Sequence, residues 1–195
     1  MSTPDRPLRA DARRNRERVL TAAREAFAES GYGVPLDAIA ARAGVGPGTV
    51  YRHFPTKEAL FEAVTVARVR ELVVLAEAGV EAADPGAALD ALLGRIAEEA
   101  VAKRDLPDAL GGVGEAAVAV ARTELHGALD RLLDRARAAG AVRAGIGAAE
   151  LLALLKGLLQ AVQDSADPDL PERLLAVVRD GLRPPVRDVG VSAVS

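Results

Sequence analysis

The chain of 195 residues contains no cysteine and no tryptophan, and its aromatic side chains are three Phe and two Tyr. Without cysteine there can be no disulfide, no thiolate metal site and no thiol nucleophile. Histidine is nearly as scarce. His53 and His126 lie in different halves, and no His-x-x-x-His, Glu-x-x-His or Asp-rich metal spacing occurs. No Gly-x-Ser-x-Gly nucleophile elbow appears, and the adjacent carboxylates Glu98 and Glu99 point to different helix faces, so they are no acid and base pair. The sequence therefore reads as a protein without a metal or cofactor and not as an enzyme. Long apolar runs are missing too: the most apolar stretch, Leu151 to Val162, is broken by Lys156 and Gln160 and is too short to cross a bilayer. The N-terminus is polar and Arg-rich with no apolar stretch behind it, unlike a signal peptide. The expectation is a soluble cytoplasmic protein with no membrane partner.

What the chain does have is Ala and Leu in quantity. Half the residues are apolar, a helix-forming composition with enough length for a substantial core, which predicts an all-α fold. The net charge of −3 is unevenly spread. Residues 1 to 57 hold ten Arg and Lys against six Asp and Glu, whereas the remaining 138 residues hold fifteen against twenty-two. A basic head on an acidic body fits a nucleic-acid binder.

Within the head, the 22 residues LDAIAARAGVGPGTVYRHFPTK, Leu36 to Lys57, read as a helix, a tight turn and a second helix. Leu36, Ile39, Ala40 and Ala43 have helical spacing. Gly44 suits a left-handed step at the end of the first helix, Val45 can tuck between the two helices, and Pro47 suits an opening helical turn. The second helix, from about Pro47 to Phe54, carries Thr49, Arg52 and His53 on its exposed face, with Tyr51 and Lys57 nearby. Such hydroxyls and cations meet phosphate oxygens and base edges.

The run IAARAGVGPGTVYRHFPTKEALFEAV, Ile39 to Val64, resembles the TetR family of bacterial one-component transcriptional regulators, whose pattern reads roughly I-A-x-x-A-G-V-S-x-G-T-x-Y-x-H-F-x-x-K-x-x-L. The resemblance implies an N-terminal three-helix DNA-binding head and a larger helical body. Gly46 stands where the family often has Ser, and Pro35 where Thr is common. Both fit a helix start, but each lacks a hydroxyl for phosphate. The DNA-binding set is Pro47, Gly48, Thr49, Tyr51, Arg52, His53 and Lys57.

Taken in order, residues 1–11 read as a flexible arm and 12–57 as the DNA-binding domain. The basic entry Arg6, Arg9, Arg13, Arg14, Arg16 and Arg18 is either a solvated helix start or a backbone contact with DNA. A first helix from Ala12 to Ser30 buries Leu20, Ala23, Ala26 and Phe27. Residues 58–183 form the effector-binding and dimerisation domain and 184–195 a C-terminal tail. A helix opening at Thr56 continues without a break to about Ala78 with Leu60, Phe61, Val64, Ala67, Leu72 and Leu75 as its stripe, which makes it a lever between body and head. Asp84-Pro85-Gly86 reads as a turn before a helix from Ala87 to Arg104. A short helix follows at Leu106 to Leu110, then a long one from Gly114 to Ala139. Gly31-Tyr32-Gly33, Gly111-Gly112-Val113-Gly114 and Gly145-Ile146-Gly147 are punctuation, not phosphate cradles, since no strand or Gly-Lys-Ser/Thr accompanies them.

The helices Ala148 to Gln163 and Leu170 to Leu182 are apolar on more than one face. A second subunit is the expected cover, through Leu151, Leu154, Leu155, Leu158, Val162, Leu174 and Val178, although both faces could instead be internal core. A TetR-like body implies a small-molecule effector among its helices. Arg95 with Glu99 and Arg122 with His126 are the candidate contacts, with surface ion pairing as their ordinary alternative, and the Ala and Leu lining predicts an apolar ligand. The reading is a homodimeric, ligand-responsive repressor on a palindromic double-stranded operator. Its competitor is a helical small-molecule carrier or interaction protein without sequence-specific DNA binding.

Overall fold

The structure, a computed structural model, describes the backbone of residues 5–101 and 115–185 and the side chains of 10–98 and 116–185. Among the described residues it is all-α, with eight helices: α1 (Asp5–Ser30), α2 (Leu36–Ala43), α3 (Pro47–His53), α4 (Lys57–Val80), α5 (Pro85–Val101), α6 (Glu115–Ala138), α7 (Ala148–Gln163) and α8 (Leu170–Leu182). The expected short helix at Leu106 to Leu110 and the Gly111 to Gly114 run lie outside the described residues.

Two helix starts differ from the sequence reading. The arm expected over residues 1–11 is helical from Asp5 onward, as part of α1; Pro7 falls in the first turn, where a missing N–H costs nothing. Asp84-Pro85-Gly86 is not a turn ahead of the helix but its N-terminus. Asp84 Oδ1 accepts from the Ala87 N–H at 2.9 Å and the Asp84 carbonyl from the Ala88 N–H at 3.1 Å. Asp84 is thus the cap and Pro85 the first helical residue.

The buried side chains form two separate cores. Val19, Ala23, Phe27, Ile39, Ala40, Val50, Phe54, Leu60 and Val64 make the head core from α1, α2, α3 and the start of α4. Leu72, Ala76, Leu92, Leu93, Leu129, Leu132, Leu133, Leu151, Leu155 and Leu175 make the body core. A single helix serves both: the inward face of α4 runs Leu60, Val64, Arg68, Leu72, Ala76, Gly79. This is a regular three-to-four spacing in which the charged residue falls at the seam. Arg68 is the buried charged side chain among the described residues, 8% exposed. The sequence stripe had Leu75 in it, yet Leu75 is 44% exposed. A charge at position 68 hides the true frame from a search for apolar residues.

Helix α4 packs most extensively on α6, and the two run in the same direction: Arg70 meets Glu124 at 3.9 Å and Glu77 meets Arg131 at 3.4 Å. Helices α5, α7 and α8 close the remainder of the body, and Arg179 of α8 ion-pairs with Asp90 of α5.

In the C-terminal pair, four of the seven residues expected at the interface are buried within one subunit. Leu151, Leu155, Leu158 and Val162 are 0%, 2%, 8% and 0% exposed in a single subunit, so they are its own core, packed under α5 and α6. Val178 packs half-buried against that core, and Leu174 is likewise half-buried. The large apolar side chains left exposed on these two helices are Leu154 at 57% and Val177 at 68% exposure. Beside Leu154 the exposed face of α7 is small-featured, with Ala153, Gly157 and Ala161.

Candidate nucleic-acid interface

The turn between α2 and α3 forms as its residues require. Gly44 ends α2 at φ 63°, a left-handed conformation that a Cβ would strain, and its carbonyl accepts from Arg18 Nη2 at 3.1 Å. The Gly44 and Val45 N–H groups return to the carbonyls of Ala41 and Ala40 at 3.0 and 3.1 Å, which satisfies the helix end. Val45 packs against the head core. Gly46 is the N-cap of α3 without a side-chain hydrogen bond, and Pro47 opens the helix. The short helix is pinned by two buried residues, Val50 at 0% and Phe54 at 3% exposure.

With Val50 and Phe54 facing inward, the rest of α3 must face out. Pro47, Gly48, Tyr51 and Arg52 are exposed and Thr49 is half-buried. Arg52 has no ion-pair or hydrogen-bond partner among the described residues. Most other cations of the head are engaged: Arg13 with Glu17, Arg14 with Asp11, Arg24 with Glu71, and Arg42 with Glu25 and Glu29. Gly48 is also open: a Cβ built there meets nothing within 4 Å. Any need for glycine at that position comes from outside the chain.

His53 and Lys57 sit differently. His53 is half-buried beside Phe54, with ring centroids 6.3 Å apart, and it borders a groove against α4. The Lys57 ammonium lies 4.6 Å from the centroid of the Tyr32 ring. Tyr32 in turn stacks on Phe27 and meets Phe61 edge-on, and its hydroxyl donates to Glu58 Oε1 at 2.8 Å. Burial and then that bond to Glu58 push the Tyr32 hydroxyl up to about 12. Glu58 is held below its ordinary value by its own backbone N–H, then by Tyr32 and Thr56. The Thr56 hydroxyl caps α4 by accepting from the Ala59 N–H at 3.1 Å. This cluster, which the sequence reading did not single out, fixes the junction from which α4 leaves the head.

Three of the four body residues expected to hold an effector have described side chains. Arg122 is exposed, while His126 is half-exposed with Nδ1 3.3 Å from Asp130 Oδ2. Arg95 reaches Glu98 at 3.3 Å and Glu71 at 3.8 Å. The Glu99 side chain lies outside the described residues.

Comparison with known proteins bears on this arrangement. The family model of the bacterial regulatory proteins of the tetR family matches residues 19–64, the segment that holds α2, the turn and α3. That of the C-terminal domain of SbtR-like transcriptional regulators matches residues 84–184. The chain belongs to the TetR family. A TetR transcription regulatory protein from Mycobacterium vanbaalenii is similar at 46% identity over 91% of this chain and 99% of its own, with a TM-score of 0.73. A TetR transcriptional regulator from Streptomyces coelicolor is similar at 38% identity over 87% and 99%, also with a TM-score of 0.73. Likeness to the HTH-type transcriptional regulator UidR of Escherichia coli is confined to 58 residues at 41% identity, 29% of this chain and 30% of UidR. The TetR-family assignment makes this chain a transcriptional regulator with an N-terminal DNA-binding domain. Among the described residues no helix is long and apolar enough to cross a membrane.

Proposed function

We propose that the chain is a homodimeric repressor that binds a palindromic operator through α3 and is released by a small effector with a largely apolar body. The observation that carries the reading is the exposure of α3: an Arg52 guanidinium with no partner among the described residues, beside an open Gly48 and a half-exposed Tyr51, on a helix pinned from behind by Val50 and Phe54. Arg is the side chain best suited to reading guanine, and Gly48 allows a phosphate backbone to come close. In this reading Pro47 and Thr49 flank that approach, and Tyr51, His53 and Lys57 meet the phosphate backbone.

Dimerisation is supported by what α7 and α8 leave uncovered. Leu154 and Val177 are large apolar side chains in water, and Ala153, Gly157 and Ala161 permit close helix approach. Paired about a two-fold axis, α7 and α8 of two copies make a four-helix bundle, which sets two α3 helices into successive major grooves about 34–36 Å apart. Release follows from α4, whose one inward face is shared by both cores: a ligand that favours one setting of the body must also favour one setting of the head.

The test is a gel shift with the DNA flanking its own gene, with sedimentation of the free protein alongside. The reading expects a dimer in solution and a shifted band that survives competition by scrambled DNA. A monomer, or binding that scrambled DNA competes away equally, overturns it.

A further inference from the structure

Between head and body lies a groove of about 450 Å³. Its apolar wall is Leu20 of α1, Phe54 at the end of α3 and Val66 of α4; Ala117, in the first turn of α6, closes the far side. Two guanidiniums and one carboxylate border it, Arg16, Arg70 and Glu62. Arg16 lies over the Phe54 ring, 5.4 Å from its centroid, so one cation is already held against the aromatic floor. Arg70 is 62% exposed and only 3.9 Å from its nearest carboxylate, Glu124, a loose pair that an incoming anion can displace.

We propose that this groove binds a small amphipathic carboxylate, its apolar body against Leu20, Phe54 and Val66 and its carboxylate between Arg16 and Arg70. An apolar wall rimmed by a few convergent polar groups is the usual form of a small-molecule site, and forked guanidinium donors match a carboxylate. Glu62 in the lining and Glu124 beside Arg70 balance the two guanidiniums, so an anion is favoured over a neutral molecule of the same shape only where it displaces the loose Arg70–Glu124 pair. The placement also deepens the ligand-responsive reading, on which its regulatory consequence rests: an occupant here touches the end of α3 on one side and α4 on the other.

The probe is 4-phenylbutyrate, with 4-phenyl-1-butanol as its uncharged counterpart, titrated calorimetrically into the full-length protein without DNA. Saturable binding is expected, weakened about tenfold in Arg16→Ala, in Arg70→Ala and for the alcohol, as one charge-assisted hydrogen bond implies. Ala67→Trp and Ala117→Trp fill the groove from opposite walls, and each should abolish binding while the melting temperature stays near that of the parent. Ala117 is exposed, so its variant remains informative if Ala67→Trp fails to fold. No saturable binding, equal affinity for the alcohol, or binding that persists in Ala117→Trp overturns the proposal. Because the titration uses no DNA, its failure overturns the groove alone. Binding at the groove that leaves operator affinity unchanged supports the groove and counts against ligand-driven release.

Discussion

Arg24 of α1 donates through Nη1 to both carboxylate oxygens of Glu71 on α4, at 2.8 and 2.7 Å, and so joins the DNA-binding head to the helix that enters the body. Glu71 also lies 3.8 Å from Arg95 of α5, which extends the link across the body surface. Side chains with 29% and 48% exposure make a partly solvated pair, and a double-mutant cycle of Arg24→Ala with Glu71→Ala should return about 0.2–1 kcal/mol of coupling in urea denaturation. The coupling should shrink in high salt. Coupling indistinguishable from zero at low salt would show that the head is held by its apolar contacts alone.

Gly48→Ala separates folding from recognition. The new methyl group meets nothing in the chain and replaces glycine within α3, so stability should hold or rise by up to about 1 kcal/mol. Operator affinity should fall, because the methyl occupies space that the approach of DNA requires. A variant that melts as expected and binds as tightly as the parent would place the close approach elsewhere. Gly44→Ala is the counterpart: at φ 63° it should destabilise the head by about 1–2 kcal/mol.

The dimer face predicts a contrast between two leucines one turn apart. Leu154→Asp combined with Val177→Asp should give folded monomers by sedimentation, since both side chains are in water in one subunit. Leu158→Ala, at a buried position, should instead cost about 2–5 kcal/mol of stability. A Leu154 and Val177 double variant that stays dimeric would put the interface on another surface.

Alkaline stability reports on the Tyr32 cluster. Its hydroxyl is held to about 12 by burial and by Glu58, above the ordinary value of 10, so the folded state keeps a proton that the unfolded chain gives up. The contribution is complete below pH 10 and is lost as pH rises from 10 toward 12. Urea denaturation of Tyr32→Phe should show a shallower decline over that window than the parent. Identical declines would remove Tyr32 from the account.

The legible parts of the chain were the local ones. Gly44, Pro47 and Thr56 act within a residue or two of themselves, through a left-handed step, a missing N–H and a hydroxyl cap, so their roles can be read without knowing what packs where. Burial of Leu151, Leu155, Leu158 and Val162 depends on α5 and α6 lying over α7, which no periodicity within α7 reveals. The surplus of leucines was real, but most of it serves the subunit's own core. Arg68 shows the opposite failure, since a buried charge leaves no apolar signal and shifts the apparent stripe of α4. Arg24, Glu71 and Arg95 come together from three helices, and spacing along the chain does not bring such pairs to notice.

Base reading by α3 through Arg52, which has no partner among the described residues, is tested by fluorescence anisotropy of Arg52→Ala and Lys57→Ala on operator and scrambled duplexes across a salt series. Arg52→Ala should cost about 1–3 kcal/mol on the operator and less on scrambled DNA. Lys57→Ala should weaken both duplexes alike and lower the salt slope by about one. Equal losses for Arg52→Ala on operator and scrambled DNA would rule out base reading by this side chain.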